Sequence, residues 1–370
     1  MQRIFLRLFI FLIAAIVPGQ ALAQVTPAAG YTPPDETQAI RVGAVIFYDY
    51  SFTTTPNTTD ADGNSISPNS FNVPRAYINI TGNVSSIVGF RITPDITRES
   101  GSGGSLDGSM SFRLKYAYAQ MNLDRFTGNW RSTYVRGGIQ QTPFIDGEES
   151  VYRYRFQGTL FAERDGGLSS ADAGLSFHTN IPNNYGDIHV GVYNGDGYSR
   201  AEANDQKALM LRATVRPMPG GGTLARGLRV TGYVHEDRVI KNADRKRYIG
   251  SVWLEQRKYN FGFDYMSRSD EASATAARIK SDGFSFFLTP FFQEKGNGFE
   301  ALIRYDSFRP NSDLDARQNR AIAGLAYWFP HPGGNATSAL LLNVERVMFK
   351  DYETPQATQQ RIILSGLINF

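Results

Sequence analysis

The chain ends Arg361-Ile362-Ile363-Leu364-Ser365-Gly366-Leu367-Ile368-Asn369-Phe370, and this segment decides how the rest is read. Ile362, Leu364, Ile368 and Phe370 share one face of an extended strand, with Gly366 between them. Successive side chains on a strand point to opposite faces. The segment therefore predicts a β-strand with one apolar face that stops on a terminal aromatic. Many soluble proteins end in a strand, so this pattern alone decides nothing. It gains weight from the segments that repeat it upstream and from the N-terminus.

Upstream, Val42, Ala44, Ile46, Tyr48 and Tyr50 alternate with Arg41, Gly43, Val45, Phe47 and Asp49. Phe112, Leu114, Tyr116 and Tyr118 alternate with Arg113, Lys115, Ala117 and Ala119. Leu209, Leu211, Ala213 and Val215 alternate with Met210, Arg212, Thr214 and Arg216, and Tyr259, Phe261, Phe263 and Tyr265 with Asn260, Gly262, Asp264 and Met266. Helical stripes are almost absent, so the chain reads as all-β. Sixteen strands are predicted, at 38–52, 71–82, 85–97, 110–123, 132–142, 170–180, 186–193, 206–216, 227–239, 246–256, 258–268, 281–292, 298–308, 319–329, 338–349 and 359–370. The odd-numbered connections (53–70, 98–109, 143–169, 194–205, 240–245, 269–280, 309–318 and 350–358) are mostly longer than the even-numbered ones. A soluble sandwich has no reason to alternate its loop lengths in this way. A transmembrane barrel does, with long external loops and short periplasmic turns.

The N-terminus agrees. Arg3 and Arg7 flank the uncharged apolar run Leu8–Val17, and Ala21-Leu22-Ala23 is a small-x-small cleavage site. Residues 1–23 read as a secretory signal peptide, since the run is too short to span a bilayer as a helix. Residues 24–37, rich in Pro and Thr, read as a flexible periplasmic lead-in, and 38–370 as the barrel domain. In hydrocarbon every backbone N–H and C=O must pair within the protein, so a spanning sheet has to close on itself. The fold class is therefore an all-β transmembrane antiparallel β-barrel of 16 strands, in the outer membrane of a Gram-negative cell. A terminal aromatic closing an alternating strand resembles the insertion signal of outer-membrane barrels, which implies that Phe370 is a membrane-insertion signal for the barrel-assembly machinery. Tyr48, Tyr50, Tyr118, Tyr259, Tyr265, Trp328, Phe329 and Phe370 are placed as aromatic girdles at the lipid boundary.

Composition closes several alternatives. The chain has no Cys, which excludes a disulfide framework and thiolate metal sites. The formal net charge of +3 gives no support to nucleic-acid binding. His178, His189, His235 and His331 are scattered, without a metal-ligand or catalytic spacing, so no enzyme activity, metal or cofactor is predicted. Asp60-Ala61-Asp62-Gly63-Asn64 lacks the downstream Glu of a calcium loop and reads as a solvated turn.

Three stretches then resemble the phosphate-selective porin O and P family. They are Asn72-Val73-Pro74-Arg75-Ala76-Tyr77-Ile78, Val135-Arg136-Gly137-Gly138-Ile139-Gln140-Gln141-Thr142-Pro143-Phe144, and Gly191-Val192-Tyr193-Asn194-Gly195-Asp196-Gly197-Tyr198. The resemblance implies a homotrimer with the long third loop folded into the lumen. The family's Lys-bearing position corresponds to Gln141, so a porin is expected but phosphate selectivity is not implied.

A channel's chemistry lies in what lines its narrowing. The third connection carries Asp146, Glu148, Glu149, Val151-Tyr152-Arg153-Tyr154-Arg155-Phe156, Glu163 and Arg164. If it folds inward, Arg153, Arg155 and Arg164 face acids across the opening. If not, the Tyr-Arg-Tyr-Arg run is an external hairpin with solvated arginines. Strand parity places Arg91, Arg113, Lys115, Arg136, Arg212 and Arg216 on the lumen face, with acids including Asp49, Asp237, Glu255, Asp264, Glu300, Asp306 and Glu345. The expected function is passive diffusion of small anionic or neutral solutes, with weak anion preference. A closed barrel with a structural or adhesive role is the alternative, and a barrel enzyme is a remoter one.

Overall fold

The computed structural model describes residues 40–99, 101, 103–202, 204–331 and 336–370. The predicted signal peptide and lead-in lie outside the described residues. The strands are β1 (Arg41–Thr55), β2 (Asn69–Asn83), β3 (Val88–Arg98), β4 (Met110–Asn122), β5 (Arg131–Gln141), β6 (Ala171–Ile181), β7 (Gly186–Tyr193) and β8 (Ala208–Val215). They continue as β9 (Leu228–Ile240), β10 (Ala243–Glu255), β11 (Tyr259–Asp270), β12 (Ile279–Pro290), β13 (Gly298–Arg309), β14 (Arg317–Phe329), β15 (Thr337–Lys350) and β16 (Gln359–Asn369). Each pairs antiparallel with its sequence neighbours, and β1 pairs with β16, so the sheet is a closed barrel with no free edge. All sixteen predicted strands are present.

Closure reaches the last residue. Phe370 donates its N–H to the Ala44 carbonyl at 3.0 Å and accepts from the Ala44 N–H at 2.9 Å. The first strand thus meets the last in continuous register from Val45 to Thr53, with one irregularity beyond it.

The two faces are those of an inside-out protein. Val42, Phe112, Leu175, Val192, Leu209, Val230, Tyr265, Phe299, Leu325 and Leu364 are exposed. Residues alternating with them, among them Thr93, Lys115, Ser176, Arg212, Asp264, Glu300 and Asp306, are buried. Exposed apolar rows of this extent would be an aggregation liability in water, whereas lipid covers them at no cost. Among the described residues no helix is long and apolar enough to cross a membrane, and the crossing elements are strands.

Four differences from the sequence reading have physical causes. First, β4 carries a β-bulge opposite Thr93 and Pro94. Asp95 partners Arg113, Pro94 partners Leu114, and Thr93 partners Tyr116, which leaves Lys115 as the extra residue. A bulge inserts one residue and reverses the parity beyond it. Tyr116 and Tyr118 therefore turn inward with Lys115, and Tyr118 is no girdle residue. Pro94 sits at the irregularity, where its missing N–H is tolerated.

Second, Trp328 is only 3% exposed and packs against Tyr154 and Phe156, so it too leaves the predicted girdle. Third, the fifth external connection is a two-residue turn, Lys241-Asn242, with Asn242 at φ +65°. A turn that tight needs a positive φ, and Asn tolerates it. Fourth, Val45 and Phe47 pack against the buried cluster, so this side of β1 is apolar as well. Gly138 explains a local requirement between β4 and β5. Its φ is +121°, and a Cβ there would lie 2.2 Å from the Ala117 carbonyl oxygen, so only glycine fits.

Candidate functional site

The third external connection is the longest buried segment outside the strands. It begins with Pro143 at the first turn of helix α1 (Pro143–Glu149), where the lost N–H costs nothing. A short helix α2 (Phe161–Arg164) follows. Phe144, Ile145, Val151, Tyr152, Tyr154, Phe156, Leu160, Phe161 and Ala162 are each at most 3% exposed. Each large side chain buried this fully contributes about 1.5–3 kcal/mol, an upper estimate.

The residues they meet alternate with the exposed positions of the later strands. Phe144 lies 5.3 Å from Tyr233 and 5.9 Å from Trp253 between ring centroids. Tyr152 lies 4.9 Å from Phe287, and Tyr154 5.8 Å from Trp328. The inner face of these strands is thus aromatic as well as polar. Alternation cannot reveal that, because it reports only a contrast between faces.

Polar contacts fix the same segment. The Arg153 guanidinium grips both carboxylate oxygens of Glu300, one at 2.6 Å. Tyr154 donates its hydroxyl to Glu300 at 2.8 Å, and the Gly296 N–H donates to the same carboxylate at 2.6 Å. Arg164 pairs with Asp306, which also accepts from Arg304 at 3.0 Å and from Ser285 at 2.6 Å. Backbone carbonyls of the segment are taken by side chains of the strands: Val151 by Asn260 at 3.0 Å, Thr159 by Arg304 at 3.0 Å, Asp165 by Arg268 at 2.6 Å and Gly166 by Arg247 at 2.7 Å. These four bonds answer the question that any irregular buried backbone raises, namely where its hydrogen bonds go.

Arg153 and Arg164 are therefore ion-paired to strand β13, while Arg155 faces elsewhere. It bridges Glu149 and Glu163 within its own segment, each at 2.7 Å. Asp146 sits near Arg212 and Arg136, and burial raises its carboxyl pKa against their pull. Glu148 is 2% exposed, with one oxygen unpartnered, and burial pushes its carboxyl well above the usual range, with Asp264 adding to the rise. Gly147 lies tight against Arg212, which pairs with Asp187 at 2.5 Å.

The early strands present a basic and aromatic surface. Lys115 donates to the Tyr77 hydroxyl at 3.0 Å and has no carboxylate within 4.0 Å among the described residues. Its ammonium lies 4.5 Å from the Tyr77 ring, 5.5 Å from Tyr116 and 5.9 Å from Tyr198. Arg91 donates to Asn79 at 2.7 Å, and Arg136 donates to Gln120 at 2.8 Å and Gln141 at 3.0 Å. Arg113 shares Asp95 with Arg75, at 2.9 Å and 3.6 Å. Arg216 lies half-buried at the lower end of β8, where its N–H donates to the Tyr185 carbonyl at 2.7 Å.

The two surfaces share a cavity. A space of about 330 Å³ is lined by Arg75, Arg113, Lys115 and Tyr198 on one side and by Arg155 and Glu163 on the other. A second space, of about 450 Å³, is lined by Arg41, Arg91, Tyr118, Gln120 and Asn122 nearer the other end of the strands. Lys115, with the Tyr77 and Tyr116 rings beside it, belongs to the first space. Parity missed Tyr77, Tyr116 and Tyr198 as members of this site, and Pro94 is the one trace of the bulge that brings Tyr116 in. The structure also sets His178 opposite His189 across β6 and β7, with ring centroids 5.5 Å apart.

No protein-family model and no curated protein matches the sequence. Solved structures do match. The anion-selective porin from Comamonas acidovorans aligns with a TM-score of 0.59 at 10% identity, over 90% of this chain and 100% of that one. OmpT, an outer-membrane protein of Vibrio cholerae, aligns with a TM-score of 0.58 at 13% identity, over 90% and 100%. The outer-membrane channel DcaP of Acinetobacter baumannii aligns with a TM-score of 0.57 at 11% identity, over 92% and 100%. At such identities the likeness is one of fold: the chain is a sixteen-stranded closed antiparallel barrel of the kind that outer-membrane porins and channels adopt.

Proposed function

We propose that the protein is a porin of the Gram-negative outer membrane, a water-filled channel for passive diffusion of small hydrophilic solutes with a modest preference for anions. In this reading the third external connection folds into the lumen and lies against the later strands. The open path then runs between its Glu149, Arg155 and Glu163 and the early-strand wall. One observation carries the proposal: polar cavities open along the early-strand wall towards both of its ends, and in the first of them Lys115 stands across from Arg155 and Glu163. Cations on one side and acids on the other set up a transverse field, which orients dipolar solutes and filters ions by sign.

The wall favours anions because Lys115 and Arg91 have no carboxylate within ion-pair distance among the described residues. Arg155, by contrast, is held between two acids. The likeness to an anion-selective porin supports the same sign. The phosphate-porin resemblance rests on its three motifs. Assembly as a homotrimer, in contact with outer-membrane lipid and after delivery by the barrel-assembly machinery, belongs to the same proposal.

Planar-bilayer recording of the purified protein in potassium chloride tests this reading. Stepwise conductance with a zero-current potential on the chloride side is expected. Folded, heat-modifiable protein that never conducts would leave the closed structural barrel as the better account.

A further inference from the structure

The bulge in β4 turns two tyrosines from lipid to lumen, and what they meet there is regular. Four inward cations of the early strands, Arg113, Lys115, Arg91 and Arg136, each lie over a tyrosine ring, whereas Arg75 and Arg41 do not. At the upper cavity Arg113 lies 4.8 Å from the Tyr198 ring. Next, Lys115 lies 4.5 Å from Tyr77. Below it Arg91 lies 4.5 Å from Tyr116, and then Arg136 lies 4.3 Å from Tyr118. The upper cavity is lined by the first two cations and the lower cavity by Arg91 and Tyr118, so the rungs run from one to the other. Alternate residues on a strand are roughly 7 Å apart and neighbouring strands about 4.8 Å apart, so a small solute leaving one rung on β4 reaches the next on β3 or β5.

We propose that this wall is a track for aromatic carboxylates, of which benzoate is the simplest. The inference rests on the channel reading above and deepens it by naming a solute class. A guanidinium is planar and weakly hydrated, so Arg113 and Arg91, each against one tyrosine, have a face for a second ring, while Arg136 shows the same two-ring stacking already made, with Tyr118 and Tyr134. The carboxylate of the same solute takes a charge-assisted hydrogen bond from the cation of the neighbouring rung. An inorganic anion uses only the charge and a neutral aromatic only the rings, whereas an aromatic acid uses both. Repeated weak sites also suit passage, because each holds the solute too loosely to trap it. A bulge that spends a strand register to bring Tyr116 and Tyr118 inward is what such a track requires, and two more girdle tyrosines would not need it.

Relative permeabilities of benzoate and cyclohexanecarboxylate, read from zero-current potentials on the same channels, test the inference. The two have the same charge and similar size, and only one has an aromatic face. Benzoate is expected to be favoured about fivefold, the scale of one partly desolvated cation–π contact. Tyr118→Leu is expected to bring the ratio towards one, and Tyr198→Leu, outside the strands, gives the same reading should the first variant not assemble. Because the readout is a ratio, an overall change in conductance cancels. Potassium chloride conductance with a wild-type ratio of one would overturn the track alone. A tyrosine variant that keeps the wild-type ratio would overturn it too. Absence of any conductance would overturn the channel reading and the track with it.

Discussion

Lys115→Met is expected to lower the ratio of chloride to potassium permeability several-fold, the largest selectivity change available from one substitution. Lys115 donates to the Tyr77 hydroxyl and has no carboxylate within 4.0 Å among the described residues, so no ion pair neutralises it. A unit charge about 6 Å from a passing ion in water-like surroundings changes its energy by roughly 0.7 kcal/mol, or about threefold in occupancy. The effect has opposite sign for the two ions, so it compounds in the ratio. Met keeps the length and the apolar stem of Lys, which leaves the contacts with the Tyr77 and Tyr116 rings in place. Zero-current potentials across a salt gradient measure the change. Arg164→Met serves as the contrast, because its charge is neutralised by Asp306 and Asp165. A wild-type ratio in Lys115→Met would remove Lys115 from the ion path.

The second large effect is expected at Glu300. Its carboxylate is fully buried and holds three donors: the Arg153 guanidinium, the Tyr154 hydroxyl and the Gly296 N–H. Arg153 also lies 4.3 Å over the Trp328 ring, so the same residue ties the third connection to two strands. Glu300→Ala leaves a buried cation and two donors unpaired. Removing one partner of a buried ion pair costs about 3–5 kcal/mol. The third connection should then lose its central anchor, with a lower midpoint of thermal unfolding in detergent and larger, noisier single-channel currents. Glu300→Gln keeps one acceptor oxygen, for Tyr154 or for Gly296, and is expected to lie between. Unaltered stability and currents in Glu300→Ala would mean that this ion pair holds nothing in place.

The barrel was legible because its signal is local. Each strand announces itself within about ten residues by alternation, and the closing Phe370 stands at the end of its own pattern. Membership of the site was partly legible too: parity alone puts Lys115, Arg91, Glu300 and Asp306 on the inner face. Partnership was not. Arg153 and Glu300 are 147 residues apart, and Arg164 and Asp306 are 142 apart, so nothing local couples them. Read alone, Arg153 and Arg164 suggest charges facing an opening, whereas each is spent on a wall carboxylate. The bulge hid Tyr116 and Tyr118 for another reason. One extra residue leaves no mark on composition, and it reverses every assignment that follows it on the strand. Trp253, Phe287 and Trp328 were hidden because their strands are apolar on both faces there, which erases the contrast that alternation depends on.

The sharpest test uses the absence of cysteine from the chain, since a single Lys115→Cys substitution introduces the sole thiol. An anionic, membrane-impermeant thiol reagent added to conducting channels of this variant is expected to reduce the current in discrete steps, from either side of the bilayer. Current that continues undiminished after mass spectrometry has confirmed full modification would contradict a path running past this residue, and with it the account of how the barrel conducts.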